Sequence, residues 1–484
     1  MEKEILNLPL LIGGEEIYGE ERMRLEYDDL IIDYPVLNDS IREKILAMDQ
    51  DSIHDLELND IVAFLQKVSL LWHDPDYEGR RKLIGYGPRI SGQTAEMYTH
   101  NIGVVLQMIS FKNYMVDTVE FELGDKRILD EWISKENAEI HAEPLGRMLH
   151  IISGNVALVG FYSIVRGLMT KNVNIVKLSQ KDFLSSYLFI KSFYDVDPEH
   201  PVTKAVSAVY WNKDDMENIG YFTAAANGMV VWGGHDTITA YKKNCPVGCE
   251  FIEYGPKKGI QIIDNTEGTD LQLAYNVARD VSVFDQEACL SPQMIFVKGG
   301  DIRRFCFMIF KGLMDYNHLW PASRHPSDHY IQMNYLLRSH EYLGNLALTD
   351  DERKFMVVLL NDDTELNFEH PLGRTIFVRA IDDFDECLPY IDGYVQTVGI
   401  APKSLARELR DRLTRRGVTR ISNIGEVEMP REGLVHEGIS MARFVRIVGM
   451  DKEPDYYAKR YDVPDGYFHQ FIYTITALRK GDRK

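Results

Sequence analysis

Cysteine is scarce in this chain. Five thiols in 484 residues cannot build a disulfide framework, and an odd number leaves at least one unbridged. So few thiols in a long acidic chain point to a reducing compartment, and the cytoplasm is the expected location. Cationic excess is lacking too: 54 Lys and Arg face 74 Asp and Glu, a formal net charge of −20. Such a field repels phosphate backbones and anionic headgroups, which argues against nucleic acid and lipid as partners but leaves room for a local basic pocket. The opening stretch Met1 to Glu16 has no basic region followed by a long apolar core, so no secretory leader is expected. No apolar run reaches the ~18 residues that span a bilayer. The richest, Met148 to Met169, is interrupted by His150, Asn155 and Arg166. Internal repeats and low-complexity linkers are absent, as are a G-x-G-x-x-G fingerprint and a Walker loop. Zinc spacing is missing as well: Cys245 and Cys249 form a C-x3-C pair with no second Cys or His pair behind it, and His325 and His329 lack a third ligand, so no metal is expected.

What is present reads as a globular α/β protein. Apolar residues make up 45% and charged residues 26%, and the length suits two or three domains rather than one core. Leu10 to Tyr18 reads as two strands about a Gly13-Gly14 turn. Ile61, Phe64, Leu65, Val68, Leu71 and Trp72 fall at helical spacing, with Asp60 placed to cap the start. From about residue 147 strands and helices alternate: a strand from Met148 to Ile152, a helix from Ala157 to Lys171, and strands at Val173 to Leu178, Ala205 to Tyr210 and Met229 to Trp232. A second series follows residue 275, with strands at Gln293 to Val297, Thr375 to Arg379 and Val418 to Ile421, and helices from Ile302 to Phe310 and Ser404 to Arg416. Apolar strands alternating with helices predict parallel sheets covered on both faces, hence two α/β lobes with a cleft between them.

Several residues stand where chemistry is done. Cys289 lies in a polar loop, Phe284 to Gln293, that runs into a strand; a thiol there is either a nucleophile or a half-buried structural cysteine. Cys306 and Cys387 read as structural. Asn155 ends Ile152-Ser153-Gly154-Asn155 just before a helix, where its amide either donates to an oxyanion or caps the helix. Lys177 ends the next strand, at the sheet edge where ligands of α/β proteins bind. Gly233-Gly234 follows an apolar strand and precedes a helix, a place where pyrophosphate can approach bare backbone N–H groups or where the chain merely turns.

These segments, in order, resemble the aldehyde dehydrogenase superfamily over roughly residues 140–430. Glu143-Pro144-Leu145-Gly146-Arg147 through Asn155 is similar to its E-P-x-G segment leading to the oxyanion-hole Asn. Ile175-Val176-Lys177-Leu178-Ser179 is similar to its V-x-K-P-S strand, with Leu178 in place of the Pro. Val231-Trp232-Gly233-Gly234 matches the F-T-G-S turn beneath the pyrophosphate, and Glu253-Tyr254-Gly255-Pro256-Lys257 the E-L-G-G-K strand that carries a catalytic Glu. Gln286 to Cys289 takes the place of the nucleophile loop. Its E-x-F-G-P segment has only an out-of-step echo in Glu369 to Arg374, which assigns no Glu. Within the superfamily, Asp285 to Gln293 and Ser153 to Val156 look most like the LuxC-type acyl-CoA and acyl-protein thioester reductases, the reductase part of the bacterial fatty-acid reductase complex that supplies aldehyde to luciferase.

The resemblance implies reduction of a fatty acyl thioester to the aldehyde through an acyl-cysteine, with NADPH as cofactor. Cys289, Asn155 and Glu253 become the catalytic candidates, with Lys177, Ser179, Gln180, Gly233 and Gly234 for the cofactor. Gln180 stands where NAD-preferring relatives have a Glu, so a neutral amide with Lys181 beside it favours a 2′-phosphate. Glu253 would carry a proton, assist the thiol, or only hold the strand. The implied partners are a fatty acyl-CoA or acyl-protein donor, acyl-transferase and acyl-protein synthetase subunits, and a second copy of the chain. The competing readings are an NAD(P)-dependent aldehyde dehydrogenase that makes acids and a non-catalytic acyl-carrying scaffold. The implied division is an N-terminal part of the cofactor lobe over 1–127, an oligomerisation segment over 128–146, a Rossmann-like NADP domain over 147–275 and a catalytic domain over 276–450. A C-terminal return over 451–484 adds an oligomerisation strand from Phe471 to Leu478.

Overall fold

The computed structural model describes residues 3–452, apart from 269, 363, 365–369, 430 and 432–435. Among them are two seven-stranded sheets and two three-stranded ones. The first large sheet runs in the order Glu250–Tyr254, Gly228–Trp232, Arg147–Ile151, Val173–Lys177, Val206–Val209, Leu10–Ile12, Glu15–Ile17. Its five strands from Arg147 onward are parallel, and the Leu10–Ile17 hairpin closes one edge antiparallel. Every residue of Gly228–Trp232 is buried, as an unbroken apolar run requires when both faces are covered. The helices Val159–Met169 and Phe183–Val196 follow the strands that end at Ile151 and Lys177, and Leu58–His73 and Glu78–Ser91 pack over the latter helix.

The second large sheet has the order Leu346–Thr349, Met356–Leu360, Thr375–Ile381, Pro292–Lys298, Lys258–Asp264, Val395–Ala401, Arg420–Ser422, parallel throughout except for its first pair. Alternation sorts its side chains into two cores. Ile260, Ile262, Phe296 and Phe377 face the helices Ser327–Tyr342 and Lys403–Thr414, while Ile263, Ile295 and Val297 face Leu271–Ser282 and Ile302–Leu319. The third sheet pairs Val445–Asp451 with Ala138–Pro144, and that with Ile133–Ser134.

Three details differ from the sequence reading. Lys258–Asp264 is a central strand of the second sheet, so the second lobe takes up the chain well before residue 276. The helix from Ile302 runs on to Leu319, past the expected Phe310. The helix Leu58–His73 is not capped by Asp60, which lies in its first turn; its leading N–H, on Leu58, donates to the Asp130 carboxylate at 3.0 Å from far along the chain. The expected strand Phe471 to Leu478 lies outside the described residues. No described helix is long and apolar enough to cross a membrane.

Candidate active site

Parallel strands end on one edge, so the residues just past them gather there. Ile151 sits opposite Lys177 and Val231 in the register, which brings Ser153 to Asn155, Ser179 and Gly233-Gly234 to one rim. They border a cleft of about 940 Å³ whose lining also includes Cys289, Trp232, Lys181, Lys213, Glu287 and Glu437. Gly154 is required by crowding: a Cβ there would lie 2.4 Å from Ser179 Oγ and 2.6 Å from Lys181 Cβ. In the second sheet, a Cβ at Gly259 would meet the Leu290 carbonyl at 2.4 Å, so the strand beside the Cys289 loop also needs glycine.

The Cys289 loop holds an unusual backbone. Phe284, Asp285 and Gln286 take φ of 54, 51 and 65, three consecutive left-handed residues without a glycine. Such residues persist only where their surroundings over-determine them. Here they do. The buried Arg374 Nε donates to Asp285 Oδ1 at 2.5 Å, and the Ser323 backbone N–H donates to Asp285 Oδ2 at 2.9 Å. Gln286 Nε2 donates to the Pro292 carbonyl at 2.7 Å, and its Oε1 accepts from Thr375 N at 2.9 Å. The loop is thereby bolted to the start of the neighbouring strand Thr375–Ile381, with Cys289 half-buried in the cleft.

Burial pushes the Cys289 thiol up to about 12, and the negative charge of Glu437 adds to this. Asn155 does not cap the following helix, whose N-cap residue is Leu158; its Nδ2 donates instead to the Glu287 carbonyl at 2.9 Å, two residues ahead of the thiol. Lys177 is brought down to about 8 by burial, with its Nζ 5.2 Å from the centre of the Tyr210 ring. Glu287 and Glu437, which the spacing of motifs did not single out, are both raised to about 7. Burial is the main cause for each, followed by Asp285 for Glu287; at Glu437, Lys257 pulls down and Glu253 pushes up.

Six of the eight residues read from the sequence therefore line one cleft: Cys289, Asn155, Lys177, Ser179, Gly233 and Gly234. Gln180 and Glu253 are not in its lining. Gln180 is exposed, and its carbonyl accepts from the Tyr27 hydroxyl at 2.7 Å. Glu253 is half-buried and ion-paired with Lys242 at 2.9 Å.

The rim suits a dinucleotide. The helix His235–Lys243 opens directly after Gly233-Gly234 without a side-chain cap, a Cβ on Gly234 would meet nothing within 4 Å, and Thr237 lines the cleft with them. Its first-turn N–H groups thus face a space with no bulk in front, as a pyrophosphate requires. Asp236 also lines the cleft there and works against an anion. Lys177, Lys181 and Lys213 supply cations along the same wall.

Two α/β lobes with a thiol loop facing the strand ends define an aldehyde dehydrogenase-like fold. The NADP-dependent glyceraldehyde-3-phosphate dehydrogenase of Bacillus halodurans C-125 superposes with a TM-score of 0.69 at 14% identity, covering 92% of this chain and 99% of that one. An aldehyde dehydrogenase of Brucella melitensis biovar abortus 2308 gives 0.71 at 12% identity, covering 92% and 97%. Residues 53–447 match the acyl-CoA reductase (LuxC) family model, and the chain belongs to that family. The long-chain acyl-protein thioester reductase of Photorhabdus luminescens is 32% identical over 457 residues, 93% of this chain and 94% of that protein. Its namesake in Vibrio harveyi is 28% identical over 457 residues, 94% and 95% of the two chains.

Proposed function

We propose that the protein reduces a long-chain acyl thioester, carried by coenzyme A or by a protein, to the aldehyde through an acyl group on Cys289. The observation that carries this reading is the placement of Cys289 on a rigidly held loop in the same cleft as the glycine turn and the lysines. NADPH, when bound, would supply the hydride. The residues that would hold it are Gly233 and Gly234 at the pyrophosphate, Lys177 and Ser179 along the adenosine side, and Lys181 with Lys213 at the 2′-phosphate. Gln180, exposed outside the cleft lining, is replaced in that last role by its neighbour. Asn155, with the backbone N–H of Cys289, would receive the charge that develops on the carbonyl oxygen.

Mixing the protein with hexadecanoyl-CoA and NADPH should consume the nicotinamide absorbance, and prior thiol alkylation should stop it. Cys289→Ala should take up no labelled acyl group, whereas the other four cysteines should tolerate single replacement. Persistent labelling of the Ala variant, or turnover of free aldehyde alone, would sink the reading. Lys181→Ala and Lys213→Ala should each weaken NADPH more than NADH, by about 1–3 kcal/mol as for the loss of one charge-assisted contact. Equal losses for both nucleotides would remove the two lysines from the 2′ position. Self-association is inferred through the third sheet, whose edge strand Val445–Asp451 leaves Ile447 and Met450 about half exposed.

A further inference from the structure

A thiol raised to about 12 is almost wholly protonated near neutrality, and its attack on a carbonyl therefore needs a proton acceptor at hand. Asp214 and Asp236 line the cleft beside Lys213 and the glycine turn, and three glutamates lie in it or at its edge. Glu253 is drawn outward by Lys242. Glu287 stands against Lys181, on the side read as the cofactor wall. Glu437 lines the same cleft as Cys289, near enough for its charge to raise the thiol. It projects from a turn in which Glu437 and Gly438 both have positive φ, 53 and 72, a conformation a glutamate adopts only when held there. Its surroundings are mixed: Glu253, Tyr254 and Lys257 act on it from the segment 253–257, and Arg420 acts on the thiol.

We propose that Glu437 is the acid–base residue of acyl transfer, taking the proton of the Cys289 thiol and returning it to the thiolate that leaves. The inference rests on the thioester reading above and deepens it. As the Cys289 sulfur forms its bond to the acyl carbon, the S–H proton passes to the Glu437 carboxylate. The bond from that carbon to the donor sulfur then breaks, and the proton moves from Glu437 to the departing thiolate. The products are the acyl-cysteine and a free thiol, with no net change in protons or oxidation state. Burial holds Glu437 at about 7, where one group both accepts and donates near neutral pH.

Glu437→Gln keeps the side chain's shape and removes its charge, which separates two effects of opposite sign. Acylation by labelled hexadecanoyl-CoA, measured without nucleotide at pH 7, should fall by about 100-fold or more, the usual loss on removing a general base. Alkylation of Cys289 by iodoacetamide should meanwhile move to lower pH, since the charge that opposed the thiolate is gone. In the wild type the acylation rate should rise through an inflection near pH 7 that the variant lacks. Unchanged acylation in the variant overturns the proposal, and so does a parallel loss of acylation and alkylation, which would make Glu437 a support of the site only. A wild type without the inflection overturns it even if the variant does not fold. A wild type that accepts no acyl group sinks the thioester reading instead. The alkylation arm needs no acyl donor, and an unmoved profile there would overturn the placement of Glu437 by itself.

Discussion

The side-chain amide of Asn155 carries two hydrogens, and the bond to the Glu287 carbonyl commits one of them. In the proposed reaction the second would meet the oxyanion, so that one residue ties the Cys289 loop to the first lobe and also serves the chemistry proposed above. Asn155→Ala should therefore cost turnover about 100-fold or more while changing nucleotide affinity little. A loss of thermal stability at unchanged specific activity would reduce Asn155 to a tether. At this scale the sequence was informative where strand ends fix direction. Lys177 ends an apolar strand, Ser179 and the two glycines follow one, and all four line the cleft as their positions imply. Gln180 was less legible because the tight 3-10 turn Gln180–Asp182 begins there, and it is Lys181, one residue on, that meets the cleft. Glu437 had no legible signal at all. Its nearest relevant partners are about 150 and 180 residues away along the chain, and only the fold brings them together.

Among the elements, the left-handed run Phe284–Gln286 shows how far a loop depends on distant support. Nothing in Phe-Asp-Gln announces positive φ, because the residue that usually permits it, glycine, is absent. The stabilising partner is Arg374, whose own φ is 56 and whose side chain is fully buried with that of Asp285. Removing one member of such a pair leaves a buried charge uncompensated, so Arg374→Met should lower stability by about 3–5 kcal/mol. Urea unfolding measures this; a loss under 1 kcal/mol would mean that water or a neighbour takes over the Asp285 carboxylate. The strands of the first large sheet were the most legible elements, since two-sided burial writes an apolar run into the sequence, whereas Lys258–Asp264, Met356–Leu360 and Val395–Ala401 of the second were not read as strands. Which sheet a strand joins was not legible. Lys258–Asp264 pairs with Pro292–Lys298 and Val395–Ala401, and periodicity says nothing about partners reached through long crossovers.

For the molecule as a whole, pH acts on stability through Asp280. Its buried carboxylate accepts from Gln261 Nε2 at 2.9 Å and from the Gly425 N–H at 2.7 Å, tying helix, sheet and loop of the second lobe together. Burial outweighs these donors and, with the charge of Glu428, raises the group to about 8. The folded protein thus keeps a proton that the unfolded chain releases above about pH 4. The contribution is complete below that pH and is lost as pH rises towards 8, at up to about 1.4 kcal/mol per pH unit. Asp280→Asn should unfold with a flatter pH dependence between 5 and 8, and parallel urea midpoints for the two proteins would contradict this. The Leu10–Ile17 hairpin carries a consequence for synthesis. Its partner strand is Val206–Val209, and Ile12 pairs with Ser207, about 195 residues later. At the usual ~5–20 residues per second, the ribosome needs on the order of 10–40 s to supply that partner. Through that interval Leu10, Leu11 and Ile12, all buried in the finished sheet, have no sheet edge to join. The nascent chain therefore passes through a window in which its first apolar strand is open to chaperones and to other unfinished copies, and slower translation widens it.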